Sequence, residues 1–387
     1  MKLASRMSNL GTETAFEVLV KANALAATGV DVVHLELGEP DFDTPDHIIG
    51  AAKDALDGGF THYGPAAGLP DVRATVAQHT SETRGIDVSP DSIIVTPGAK
   101  PIMYFTLTAL VEEGDEVIYP NPGFPIYESM INFSGATPVP MRLYEEEGFK
   151  PDLDEVRRSI TSRTRLIILN SPHNPTGGML DEDDLKAIAE MAQENDILVL
   201  SDEVYRDIIY DGTHTSIATL PGMQERSIIL DGFSKTYAMT GWRLGYGVFP
   251  SELVPHISRL MVNSVSCTAA FVQKAGIAAI EGSKEEPQQM VAEFRRRRDM
   301  TCDALNDIDG IRCFKPEGAF YLFPNVSDLG LSAQQFGDRL LYENGVAVLP
   351  GISFGGYGEG YARISFATSM ENLEKGVEGI RKFVAKL

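Results

Sequence analysis

The chain has 387 residues, 43% hydrophobic and 23% charged, the balance of a soluble globular protein with one large domain and a smaller one. A formal net charge of −22 repels phosphate polymers and argues against nucleic acid as a partner. No apolar run is long enough to span a membrane, the start Met1-Lys2-Leu3-Ala4-Ser5-Arg6 lacks the apolar core of a secretion signal, and Cys267, Cys302 and Cys313 lack metal-ligand spacing and read as reduced cytoplasmic thiols.

In chain order, the segment before about Thr44 is expected to pack with the C-terminal part. From about Pro90 to Pro250, short apolar runs ("SIIVTPG", "DEVIYPNPG", "RLIILNSP", "ILVLSDEVY", "SIILDGFSK") alternate with helix-like stretches such as Lys100 to Glu112 and Asp181 to Asn195. That alternation predicts an α/β fold: a mostly parallel sheet covered by helices on both faces, with ligands at the carboxyl ends of the strands. From about Glu285 the pattern changes to a long charged helix reaching Asp307, short strands in "IRCFKPEGAFYLFP", "VAVLPG" and "ARISFAT", and an amphipathic helix from Met370 to Ala385. The predicted division is residues 1–44 as an N-terminal segment packing with the small domain, 45–284 as the large domain, and 285–387 as a smaller α+β domain. The block Arg295-Arg296-Arg297-Arg298 follows Glu285, Glu286 and Glu293 and is expected to form a solvated, ion-paired helix face.

The stretch "SIILDGFSKTYAMTGWRLGYG" holds the chemistry. Lys235 follows an apolar strand and sits among Gly232 and Ser234, small groups that admit a close neighbour. Arg243, eight positions on, adds a permanent cation with a fork suited to phosphate. Partial burial and a nearby cation lower a lysine's pKa, and such an amine forms a Schiff base with an aldehyde. Lysine beside a phosphate site points to pyridoxal phosphate.

That cofactor requires an acid at its pyridine nitrogen, donors at its phenolate oxygen, a stacking ring and amides at its phosphate. Asp202, ending the strand "ILVLSDEVY", is the candidate acid, and Tyr205 a candidate donor. Asn174, in the turn "NSPHNPTGG", is the second donor, with His173 as a wall of the site and not a base. Phe124 in "YPNPGFPIY" is the candidate stacking ring, and Gly98-Ala99-Lys100, between a strand and a helix, the phosphate turn.

The chain resembles the fold type I pyridoxal-phosphate enzymes, within them the class I/II aminotransferases near the bacterial aspartate aminotransferase branch. The resemblance runs in order through "LGEPDFDTP", "THYGPAAGLPDVR", "VTPGAK", "NSPHNPTGG", "SDEVY", "FSKTYAMTGWRLGY", "GAFYLFP" and "YARISFATS". It implies Lys235 as Schiff-base lysine and proton shuttle, Asp202 as pyridinium partner, Asn174 and Tyr205 as phenolate donors, and Phe124 as ring stack. It implies phosphate binding by Arg243, Ser234 and the Gly98-Ala99-Lys100 turn. Where the family often has a serine, this chain has Gly232, which removes one expected phosphate contact. Tyr63 implies a phosphate contact donated across a homodimer with shared sites. Arg363 implies a clamp on the substrate α-carboxylate, with Gly38 nearby; an arginine between Ala362 and Ile364 of a buried strand needs an anion in any case.

The implied function is transfer of an α-amino group from an L-amino acid to a 2-oxo acid. Lys100 favours a dicarboxylate such as aspartate or glutamate, paired with 2-oxoglutarate. Its expected neighbours are Thr14 or Ala15 of the N-terminal segment and Ser266 or Cys267 of the partner subunit, of which Ala15 and Cys267 give a carboxylate no support. Apolar or aromatic amino donors, or another reaction of the cofactor (β-lyase, decarboxylase, oxidase), remain alternatives. A nicotinamide dehydrogenase lacks its Gly-x-Gly-x-x-Gly here, and a ligand-sensing module lacks a DNA-binding extension.

Overall fold

The computed structural model describes residues 2–387. Two-residue β1 (Val33–His34) lies apart from the main sheet. That sheet has eight strands: β2 (Ile93–Thr96), β3 (Glu116–Asn121), β4 (Thr137–Tyr144), β5 (Lys150–Pro151), β6 (Thr164–Asn170), β7 (Leu198–Asp202), β8 (Ser227–Gly232) and β9 (Gly245–Val248). Their order is β2-β9-β8-β7-β6-β3-β4-β5. β4, β3, β6, β7 and β8 run parallel; β9 is antiparallel to both its neighbours, and β5 to β4.

Period-two alternation sends successive residues of each strand to opposite faces. Leu166 and Ile168 pack with Ile94, Val117 and Leu200 under the helices Lys100–Leu110 and Ile126–Phe133. Ile167 and Leu169 pack on the other face with Val199 and the helix Glu182–Glu194. That helix starts where Asp181 accepts from the Asp183 and Asp184 amides, while the Asp184 carboxylate accepts from the Asp181 amide at 2.9 Å. The predicted sheet class is thus the observed one.

Strand β9 is not among the predicted strands. Gly245 and Gly247 weaken its strand signal, yet both are needed. A Cβ on Gly245 would lie 2.5 Å from the Ala99 amide nitrogen, and one on Gly247 would lie 2.9 Å from Ile102. The bare strand lets the helix that opens at Lys100 rest directly on the sheet.

The C-terminal part carries β10 (Tyr321–Leu322), β11 (Val346–Ala347), β12 (Leu349–Pro350) and β13 (Ala362–Ser365). β10, β13 and β12 form an antiparallel sheet, while β1 pairs with β11 through Val33↔Val346. Val33 and Leu35 share a core with Phe294, Phe320, Phe366, Ile380 and Phe383, and Ala22 packs with Leu341 and Ala347.

The arginine block departs from expectation. Arg297 is buried and pairs with Asp41 at 2.7 Å, and Arg298 is buried against Asp211 and the Pro316 carbonyl. Arg296 pairs with Glu293 on an open face, an acid that Arg297 also reaches at 3.0 Å, while Arg295 reaches the Tyr210 carbonyl. Three of the four arginines therefore tie the helix Glu285–Asn306 to loops of the body.

Candidate active site

The carboxyl ends of β6, β7 and β8 and the start of the helix Lys100–Leu110 surround a cavity of about 630 Å³. Lys235, Asp202, Tyr205, Asn174, Phe124, Ser234, Arg243, Ala99, Lys100, Arg363 and Gly38 all line it. Lys235 and Asp202, the two positions on which the sequence reading depends, face one space.

Asp202 ends β7 and is buried. Burial pushes its carboxyl up to about 6, against a 2.6 Å hydrogen bond donated by the Tyr127 hydroxyl. The carboxylate lines the cavity with the Tyr127 phenol as its side-chain partner and forms no ion pair among the described residues. Tyr127 was missed in the sequence, although it stands one helical turn from Phe124, on the face a helix presents together. Their rings meet edge to face at 5.6 Å.

Lys235 donates to the Gly38 carbonyl at 2.5 Å and lies 5.4 Å from the Phe320 ring. Burial, then the nearby Arg363 cation, pulls its ammonium down to about 8. The cation was expected to be Arg243; Arg363 and Lys100 act instead.

Arg243 adopts φ +54° and donates to the Thr240 carbonyl at 2.8 Å. Its guanidinium lies over Gly98, where a Cβ would displace it and where the backbone, at φ +81°, favours glycine. Gly98 itself stands behind this guanidinium and not on the cavity wall. Gly232 is also explained: a Cβ there would meet the Gly245 Cα at 3.2 Å and the Leu244 carbonyl at 3.3 Å, so a serine would press on β9.

Arg363, on β13 opposite Leu349, is 5% exposed. It donates to Asn174 Oδ1 at 3.1 Å and to the Glu36 carbonyl at 2.6 Å, and its buried Nε–H has no partner among the described residues. The guanidinium lies 4.4 Å from the Tyr321 ring centroid and 5.0 Å from that of Phe354. Asn174 is held by its own amide donating to Asn170 Oδ1 at 2.9 Å. Tyr205 shares a 2.8 Å hydrogen bond with Tyr321, whose ring packs against Gly38. Asn170 and Tyr321 lay inside quoted motifs but were not singled out.

Other expected positions fall elsewhere. His173 is not a wall of this cavity; it faces the opposite side, toward Met141 and Phe149, and burial pulls its imidazole down to about 3. Thr14 and Ala15 line the cavity; Ser266 and Cys267, expected from a second copy of the chain, lie outside this copy's own cavity. Tyr63 is 91% exposed and outside it.

The family model for aminotransferases of class I and II matches residues 30–380. The chain belongs to that family. The aspartate aminotransferase of Pyrococcus abyssi is 43% identical over 362 residues, 92% of this chain and 93% of its own length. The aromatic-amino-acid aminotransferase 2 of Thermococcus litoralis is 42% identical over 361 residues, 92% of each chain. The structure of Thermus thermophilus aspartate aminotransferase with maleate superposes with a TM-score of 0.95 at 37% identity over 99% of each chain. Members of this family are pyridoxal-phosphate-dependent enzymes, and this chain is an aminotransferase of the same kind.

The residues present fit the cofactor. A buried carboxylate with no ion pair among the described residues suits a protonated ring nitrogen. The glycine-seated guanidinium of Arg243, with Ser234 and the helix start at Lys100, makes an anion-binding donor set. A half-buried lysine of lowered pKa stands between them, as an aldehyde requires.

Proposed function

We propose that this aminotransferase moves the α-amino group of aspartate or glutamate to a 2-oxo acid such as 2-oxoglutarate. The observation that carries the reading is a single cavity in which the Lys235 amine, the Asp202 carboxylate and the Arg363 guanidinium converge, with Lys100 at its rim. The names of the Pyrococcus and Thermus relatives support the same substrate class.

Bound pyridoxal phosphate supplies the electron sink that makes the substrate Cα–H acidic. Asp202 would hold the proton on the ring nitrogen. Asn174 and Tyr205 would donate to the phenolate oxygen, and Phe124 would pack on the ring. Arg243, Ser234 and the helix start at Ala99 and Lys100 would hold the phosphate, with Gly98 seating the Arg243 guanidinium. Arg363 would clamp the substrate α-carboxylate through its guanidinium N–H groups and so set the direction of the Cα–H bond, a positioning effect of several kcal/mol. Lys235 Nζ would take the proton from Cα and return it to the carbon on the far side of the substrate nitrogen, its lowered pKa matching the task. We further assign Tyr63 to the site of a second copy in a homodimer, which its exposure outside its own cavity supports. Residues 45–284 form the cofactor domain in this reading. Residues 285–387 with 1–44 form a second unit, supported by the β1–β11 pairing.

The test is a panel of amino donors and oxo-acid acceptors followed by absorbance of the half-reactions. Aspartate and glutamate should convert the cofactor to its amine form with the highest kcat/KM. Conversion by aromatic or aliphatic donors alone would replace the proposed substrate class. Amino-acid turnover without the amine form would replace transamination itself.

A further inference from the structure

Lys100 is the first residue of its helix, at the positive end of the helix dipole, where a cation is disfavoured and seeks an anion. It has found one in this chain. Glu13 Oε1 accepts from Lys100 Nζ at 2.7 Å, with Glu13 17% and Lys100 50% exposed at the side chain. Glu13 stands at the N-cap of the helix Thr14–Ala26, a position where a side chain commonly bonds the first free amides. Its carboxylate makes no such bond and is directed to Lys100. The same segments give the cavity an apolar lining, Ala15, Phe16, Leu19, Leu37 and Phe354, beside the polar Thr14 and Glu39. A lysine proposed to receive a distal carboxylate therefore already has an intramolecular counter-ion, and the wall beside it suits an uncharged side chain.

An aminotransferase passes two amino acids through one site in turn. A free lysine at the rim serves a dicarboxylate and leaves a desolvated cation against an apolar side chain. A lysine with a resident carboxylate serves both, since it pairs with Glu13 when the substrate brings no charge.

Resting on the aspartate/glutamate reading above, we propose that Glu13 is a specificity-determining residue that competes with the substrate's distal carboxylate for Lys100, so that one site accepts both dicarboxylic amino acids and amino acids with apolar or aromatic side chains. When a dicarboxylate enters, Lys100 Nζ leaves Glu13 Oε1 for the incoming carboxylate and Glu13 is left repelled at the rim. Glu13 thereby weakens dicarboxylates selectively.

The experiment uses the holoenzyme and two non-reacting ligands, maleate and 3-phenylpropionate, with dissociation constants measured by calorimetry. Glu13→Gln should tighten maleate about three- to fivefold, the size of a partly exposed ion pair. It should leave 3-phenylpropionate unchanged or weaker and raise the ratio of kcat/KM for aspartate over phenylalanine by a similar factor. In the background of Lys100→Ala the same substitution should have no effect on maleate. Equal changes for both ligands, no change, or an effect that persists without Lys100 would overturn the assignment of Glu13. Absence of maleate binding and of aspartate turnover in the unaltered enzyme would instead overturn the substrate reading, and Glu13's role with it.

Discussion

The inner end and the rim of the cavity are built differently. At the inner end, groups are fixed by strand ends and by a buried polar network one layer below. Arg84 bonds Glu203 at 3.0 Å and Asp231 at 2.5 Å; Glu203 also accepts from Ser201 and Ser216, and Asp231 from Tyr246 at 2.9 Å. Both acids sit in strand-end register, Glu203 next to Asp202 and Asp231 next to Gly232. At the rim, Glu13 and Lys100 meet across a half-exposed gap, and the wall comes from the N-terminal segment and the loop holding Phe354. A reaction common to all substrates needs an unyielding centre, whereas acceptance of two side-chain classes needs partners that can be exchanged.

The largest expected effect breaks the inner end. Lys235→Ala removes the nucleophile and proton carrier together, and kcat should fall by at least about 10⁴-fold for every substrate. The visible band that borohydride abolishes in the unaltered enzyme should be missing from the variant. A retained, reducible chromophore would place the covalent link elsewhere. A loss confined to dicarboxylates would erase the distinction between centre and rim.

Legibility in the sequence follows the same division. The strand-helix alternation and the motifs at strand ends were readable because each is local. Lys235, Asp202 and Asn174 each follow an apolar run within one or two turns of chain. What went unread depends on distance or on absent side chains. The Arg84–Asp231 pair joins residues 147 apart, and Lys100–Glu13 residues 87 apart. Neither has a local pattern. Strand β9 was hidden by glycines that serve a helix packed above them. His173 follows Pro172 in the Asn174 turn, but the turn directs its ring to the other side of the sheet. The buried half of the arginine block was misread because charge alone carries no burial signal, and its acids, Asp41 and Asp211, lie far off in sequence.

A second, smaller effect tests whether the network under the inner end is a support. Arg84→Met should lower stability by about 3–5 kcal/mol, because Glu203 and Asp231 would be left buried without their cation. Burial pushes Glu203 up, but Arg84 and His214 bring its carboxyl below the usual range. A depressed carboxyl stabilises above its unfolded pKa, and that stabilisation is lost as pH falls through the folded pKa. The gap between variant and unaltered protein in chemical denaturation should therefore be widest near neutral pH and narrow in acid. The ratio of aspartate to phenylalanine kcat/KM should not move. A gap independent of pH would assign Arg84 a packing role, and a changed ratio would join the network to the rim.

The smallest expected effect concerns the amine itself. Only neutral Nζ attacks an aldehyde, so the rate at which cofactor-free protein captures pyridoxal phosphate follows the neutral fraction of Lys235. With burial and Arg363 pulling the ammonium down to about 8, roughly a tenth is neutral at pH 7 and roughly nine tenths at pH 9. Capture, followed by absorbance, should rise about tenfold over that interval and level off. An ordinary lysine at 10.5 would give a rise of about a hundredfold with no plateau. Arg363→Leu removes the cation with the larger influence but not the burial, so it should shift the midpoint upward while keeping a plateau, because burial is the larger of the two causes. A midpoint unmoved in that variant would confine the tuning to desolvation. The loss of any plateau would make Arg363 the dominant influence and tie the inner end to the guanidinium that faces the substrate.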